Sequence, residues 1–258
     1  MNDAVLTLRQ VKYTNRAFWR NPPAAFFTFA FPLMFLVIFT SIFSGTTAAL
    51  GLRNVNTSTY YIPAIAAFSI ITATYTNLAI SVTFLREAGT LKRIRGTPMP
   101  AGTYLSARII HAVLMAILLV VIVTVFGVAF YHAHVTGRTL PAFILTVVVG
   151  SAAFSALGLA LTSVIPNADA APAVVNASVL PLLFLSGVFI PLPDHTTWYV
   201  AVAKLFPIYH FTYAMLSTFL SQSGNGFKGW DLLIVGIWGL GGIAAAIRYF
   251  SWEPRSGV

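Results

Sequence analysis

Six times between Ala24 and Phe250 the chain runs through about twenty or more residues whose only charged side chains lie near the ends of the run. Water-soluble domains carry about 25% charged residues. This chain carries 8%, with 58% hydrophobic residues and a mean hydropathy of +0.83. Each run is long enough to cross ~30 Å of hydrocarbon as a helix, and a helix satisfies its backbone polar groups where water is absent. The expected fold is all-α integral membrane, a single domain over residues 1–258. Its six transmembrane helices are expected at about 24–43, 60–84, 104–130, 141–165, 171–190 and 231–250.

The net charge of +9, from fifteen Lys and Arg against six Asp and Glu, sits in short segments between the runs. That placement argues against nucleic acid as a partner and for retention of cations on the cytoplasmic side. With both termini inside, Arg9, Lys12, Arg16, Arg20, Arg86 and Lys92 are cytoplasmic, as are Arg93, Arg95, Arg108, Arg248 and Arg255. Arg53, Arg138, Lys204 and Lys228 stay outside, so the bias is eleven to four. The expected setting is a multi-pass protein of the bacterial cytoplasmic membrane. Cysteine is absent, which excludes disulfides and thiol chemistry. The first apolar run exceeds the ~7–15 residues of a signal-peptide core and is read as a retained span.

Residues 1–21 mix Arg9, Lys12, Arg16 and Arg20 with Leu8, Val11, Phe18 and Trp19 at roughly helical spacing. They read as an amphipathic helix on the membrane lipid surface; a disordered basic arm is the alternative. In the first span, Phe27, Phe31, Phe35, Phe39 and Phe43 recur every four residues. The ridge either lines a route for a bulky apolar substrate or packs against other spans. At 100° per residue, Ser69, Thr72, Thr76 and Thr83 of the second span fall within about 60° of one another. This polar seam either lines a translocation path or joins helices. Asn176, in the fifth span, is a further path candidate. His132 and His134 lack a third ligand nearby, which argues against a metal site. Asp169 is placed to cap the fifth span. Residues 191–229 are too apolar for an exposed loop and read as two short helices re-entering the outer leaflet, the first capped by Asp194.

Chemistry within the spans is sparse. No acidic or basic side chain lies deep in any of them, which argues against an ion-coupled transporter. No phosphate-binding loop is present: Gly224-Asn225-Gly226-Phe227-Lys228 lacks its spacing. Ser186 and His210 form no recognisable nucleophile–base pair. No catalytic residue and no bound cofactor is expected.

One charged stretch remains. Residues 86–98, Arg-Glu-Ala-Gly-Thr-Leu-Lys-Arg-Ile-Arg-Gly-Thr-Pro, resemble the Glu-x-Gly-Thr-Leu-(x)₅-Thr-Pro loop of the type 2 ABC exporter permeases. That family includes daunorubicin-resistance-type drug permeases and polysaccharide export permeases. Leu185-Ser186-Gly187-Val188-Phe189-Ile190-Pro191, with Lys204-Leu205-Phe206-Pro207, resembles its Gly/Pro element after the fifth span. Arg20-Asn21-Pro22 is similar to the way its first span begins.

The resemblance implies a permease subunit of an ABC exporter, working with a separate ATP-binding subunit and a second permease copy or paralogue. ATP and Mg would bind on the partner. Glu87, Gly89, Thr90, Leu91 and Lys92, with Arg93, Arg95 and Pro98, would form the coupling element that meets the ATPase; the N-terminal helix would meet it too. Gly187, Pro191 and Pro207 would belong to an outer gate. Drug and lipid exporters look nearest, with polysaccharide or glycolipid export as the alternative and a stand-alone channel as the opposing class. Glu87 has a second reading, in which it only pairs with Arg86 or Lys92.

Overall fold

The computed structural model describes residues 3–43, 47–50, 53–97, 99–131, 137–192, 197–221 and 224–254. Pro98, His132, His134, Asp194 and Arg255 lie outside the described residues. The fold is all-helical apart from one short hairpin. The N-terminal stretch is a helix, α1 (Asp3–Trp19). Asn21 then accepts a hydrogen bond from the Ala24 amide at 3.4 Å, and Pro22 opens α2 (Pro22–Ile42), as suits a residue with no amide to satisfy. Where a polar loop was expected after the first span, β1 (Thr47–Leu50) pairs antiparallel with β2 (Arg53–Asn56), Thr47 opposite Asn56 and Leu50 opposite Arg53.

The second span is α3 (Thr57–Ile71), a π turn (Thr72–Thr76) and α4 (Asn77–Glu87). Its first half is the most enclosed part of the molecule: Tyr60, Ile62, Ile65, Ile70 and Ile71 have no exposed surface. The π turn follows from the hydroxyls. Thr72 Oγ1 donates to the Phe68 carbonyl at 2.9 Å and Thr74 Oγ1 to that of Ile70 at 2.6 Å, competing with the backbone for its acceptors. The Asn77 amide reaches back to the Thr72 carbonyl, one residue further than in an α-helix.

A short helix, α5 (Thr90–Arg95), is set off from α4 by Gly89 at φ 69°. That left-handed conformation favours glycine. Then come α6 (Ala101–Tyr131), α7 (Leu140–Leu161), α8 (Ala171–Leu185), α9 (Trp198–Ala203), α10 (Pro207–Leu220) and α11 (Gly229–Tyr249). Among the described residues five helices are long and apolar enough to cross a membrane: Pro22–Ile42, Thr59–Glu87, Gly102–Tyr131, Leu140–Leu161 and Gly229–Tyr249.

The fifth expected span departs from the sequence reading. Its helix α8 has 15 residues, a rise of roughly 22 Å, rather than the full run to Ile190. Gly187, at φ 80°, turns the chain away. The turn is held by α3, where Tyr60 Oη donates to the Gly187 carbonyl and Tyr61 Oη to that of Phe189 at 3.0 Å. The fourth span also ends early, at Leu161, and Asn167 rather than Asp169 closes the next turn, accepting from the Ala170 amide at 2.8 Å.

Small residues bring α7 close to its neighbours. A Cβ on Gly158 would lie 2.7 Å from the Tyr75 carbonyl oxygen in the π turn. On α11, one on Gly239 would lie 2.8 Å from Ala153 Cβ, and one on Gly242 would lie 2.9 Å from the Leu157 amide nitrogen. Backbone approaches of this kind need glycine. Gly158→Val is therefore expected to prise α7 off the π turn and cost at least about 1–3 kcal/mol, the usual penalty of overpacking. Thermal unfolding of the purified protein checks this; an unchanged melting temperature would contradict the contact.

Candidate functional site

Two ends of the bundle can be told apart. At one, the side chains of Leu78, Val82, Leu91, Tyr104 and Leu159 form a common cluster with Phe250 and Trp252 against it, so α5 sits beside the end of α7 and the tail after α11. At the other lie the hairpin and the Tyr60–Gly187 contact.

The α5 end is organised by Arg86. Its side chain is 1% exposed. Nη1 donates to the Thr162 carbonyl and Nη2 to that of Ile165, each at 2.8 Å, while Nε donates to Glu87 Oε1 at 2.8 Å. The two carbonyls lie in the turn that follows α7, and a planar guanidinium can span them as a fork. The last turn of α4 is thereby fixed to the end of α7 immediately before α5. On α5 itself Leu91 is buried and Ile94 is packed against the same cluster, whereas Lys92, Arg93 and Arg95 are exposed. Thr90 is half-buried and Gly89 supplies the corner. Glu87 is drawn into a pair with Arg86. No separate sign of Arg86 is legible in the sequence, because a cation at the end of a span looks the same whether it faces water or fills a core.

Arg9, Lys12 and Arg16 on α1, and Arg20 just after it, are all exposed. Thr14 is buried and Phe18 half-buried, with the Phe18 ring 5.8 Å from that of His111 on α6. The helix lies along α6, and Leu8, Tyr13 and Trp19 keep 66%, 61% and 49% of their surface exposed.

The phenylalanine ridge divides. Phe35 and Phe39 are packed against the core, with ring centroids 5.5 and 5.6 Å from Phe189. Phe27 and Phe31 are 64% and 41% exposed and line a 350 Å³ groove between α2 and the π turn, with Pro32, Thr72, Thr76 and Ile80. The hydroxyl seam divides too. Ser69 and Thr83 are fully buried, donating to the Ile65 carbonyl at 2.7 Å and the Ala79 carbonyl at 2.8 Å. Only Thr72 and Thr76 reach the groove. The even 100° step behind the expected seam fails across a turn that carries one extra residue. Asn176 is exposed on α8 and does not line this groove.

At the hairpin end, Gly187 is the turn described above, Pro191 is half-buried, and Pro207 is buried in the first turn of α10. Pro207 borders a second, largely apolar cavity of 470 Å³ walled by α7, α8 and α11, across which Tyr75 Oη and Ser178 Oγ bond at 2.8 Å. His210 and Ser186 hold other partners. His210 meets Asp231 Oδ1 at 2.6 Å and the Lys204 carbonyl at 2.8 Å, and Ser186 Oγ donates to the Leu183 carbonyl at 3.2 Å.

This arrangement of apolar spans around a central helix is that of a multi-pass membrane protein. The profile of the ABC-2 type transporter family matches residues 5–220; the chain belongs to that family, whose members are transporter permease subunits. It is 24% identical over 193 residues to the putative transport permease ycf38 of Porphyra purpurea, an alignment covering 74% of this chain and 65% of that protein. It is 23% identical over 185 residues to the probable multidrug ABC transporter permease YbhR of Escherichia coli (strain K12), covering 70% of this chain and 50% of the other. The matched stretches thus span only about half to two thirds of these relatives.

The division of the ridge is open to test. Phe35→Ala should lower stability by about 3–5 kcal/mol, as for other packed aromatic rings. Phe31→Ala, at a ring 41% exposed that touches Phe35 at 4.7 Å, should cost clearly less. Equal destabilisation by the two would erase the distinction between packing and groove-lining rings.

Proposed function

We propose that this chain is the membrane-spanning subunit of an ATP-driven exporter that moves a hydrophobic or amphipathic substrate, a drug, antibiotic or lipid, out of the cytoplasm or inner leaflet. The observation that carries the reading is the build of α5. It is an exposed cationic surface whose apolar side and preceding arginine are locked into the bundle, so force applied to it reaches α4 and α7 without slack. A separate ABC ATP-binding subunit, holding ATP and Mg, docks there through acidic groups facing Lys92, Arg93 and Arg95. Thr90, Leu91 and Gly89 set the angle of the helix, and Glu87 acts from behind by holding Arg86. The cations of α1 give the same partner a second contact.

Both termini lie in the cytoplasm of a bacterial cell, in keeping with the eleven-to-four distribution of basic residues. α9 and α10 form the re-entrant pair of the outer leaflet. Gly187, Pro191 and Pro207 shape the gate there, and two permease chains, alike or paralogous, complete the transporter. The groove of Phe27, Phe31, Thr72 and Thr76 is the substrate-facing wall. Its aromatic lining suits an apolar or amphipathic molecule better than a glycan. The multidrug designation of the Escherichia coli relative points the same way.

The test is capture and coupling with the chain in membranes. A phosphate-loop ATPase encoded beside this chain should co-purify with it, and substrate should stimulate its ATP hydrolysis. Arg93→Glu combined with Lys92→Glu should reduce capture at least tenfold and abolish export while the permease still inserts and folds. Full capture and full export by that variant would refute docking at α5.

A further inference from the structure

Behind the start of α2 lies a second compartment that the exporter reading leaves unused. It is a half-open 190 Å³ cavity between α1, α4 and α6, bordered also by α2 and the π turn, and its polar lining comes from Thr14, Asn21, Asn77, Ser81, Arg108 and His111. Two features of it call for a ligand. His111 is only 9% exposed, and its Nε2 is buried without a hydrogen-bond partner among the described residues. A buried ring nitrogen left in that state carries a desolvation penalty until something bonds it. Arg108 is half-buried, and its guanidinium makes no ion pair among the described residues; instead Nε and Nη2 donate to Tyr104 Oη at 3.2 and 3.1 Å. A partly desolvated cation with only a phenol for company is short of a negative charge.

The shape of the space narrows the ligand. Phe18, Ala24, Ala73 and Asn77 border both this cavity and the 350 Å³ groove that runs along Phe27, Phe31 and Pro32. A mixed chamber holding Arg108 and His111 therefore opens into an apolar channel whose outer aromatic rings, Phe27 and Phe31, are exposed. A soluble anion would use only the first; a phospholipid uses both.

We propose that the α1–α4–α6 cavity binds the phosphate of a membrane phospholipid from the leaflet on the α1 side. One acyl chain lies in the adjoining groove between α2 and the π turn. Arg108 supplies the charge and Nη–H donors, the His111 Nε2–H and the Asn77 amide complete the oxygen shell, and Tyr104 holds the guanidinium in place. The lipid fills the space between α1 and the bundle and so fastens the N-terminal helix to the spans. The phosphate site is separate from the export reading, whereas the acyl chain shares the groove proposed there as the substrate-facing wall. Lipid binding by the permease alone needs no ATPase, so its failure and a failure of export are read separately.

The test uses the full chain in detergent, delipidated, with dioleoyl phosphatidylglycerol as the probe and thermal shift and native mass spectrometry as readouts. Phosphatidylglycerol should bind about tenfold or more tighter than dioleoylglycerol, which has the same tails and no phosphate. Arg108→Gln should remove that difference, and His111→Leu and Asn77→Ala should each weaken phosphatidylglycerol severalfold. Asn77 is exposed, so its variant keeps the fold and reports on the ligand even if a buried replacement does not. Equal binding of dioleoylglycerol, or unchanged phosphatidylglycerol binding in both Arg108→Gln and Asn77→Ala, would overturn the proposal. Glycerol phosphate binding as tightly as the whole lipid would overturn it too, by making the cavity a site for soluble anions.

Discussion

A single buried guanidinium holds together the end of the bundle that matters most. Arg86 satisfies the carbonyls of Thr162 and Ile165 in the turn that follows α7, and those carbonyls, with Glu87, make it possible to bury a full positive charge. Neither partner could be as it is without the other. Removing one member of a buried charged constellation usually costs about 3–5 kcal/mol, because the survivors are stranded out of water. Here the strand would include the point from which α5 projects. The cationic face of α5, proposed here as the docking surface, is thus an extension of a helix-end bond rather than an appended loop.

From that bond the tight contacts run in one direction. α7 touches the π turn through Gly158 and α11 through Gly239 and Gly242, at separations that leave no room for a methyl group. α2 is joined differently, by rings of Phe35 and Phe39 laid against Phe68 and Phe189. Ring-on-ring surfaces can slide; backbone-on-backbone contacts cannot without separating. The groove between α2 and the π turn lies along the seam between these two kinds of packing.

Much of this was legible beforehand. Charge-free runs announce membrane helices whatever their tertiary neighbours, and four of the six expected spans begin and end within about three residues of the observed helices. The short helix after residue 89 lay where the charged loop was singled out. What escaped was everything decided by partners. Arg86 is indistinguishable in sequence from a cation that merely marks the cytoplasmic side. The need of His111 for a ligand arises from what surrounds it, not from its neighbours in the chain. The ridge and the seam each read as one surface and each divides in the structure, since periodicity locates a face but not what lies opposite each part of it.

The π turn also fixes how the chain can vary in length. Its extra residue puts α3 and α4 out of step by about 100° relative to a regular helix. Losing one residue from the π turn itself would let it close as regular α-helix with α4 in place, but losing one from α4 would rotate everything beyond it by that angle. Arg86 would swing away from the carbonyls of α7, and α5 would present a different side. The second span therefore tolerates exchange of residues far better than loss of one: its residue count sets the alignment of the two halves, much as tooth number sets the timing of a gear.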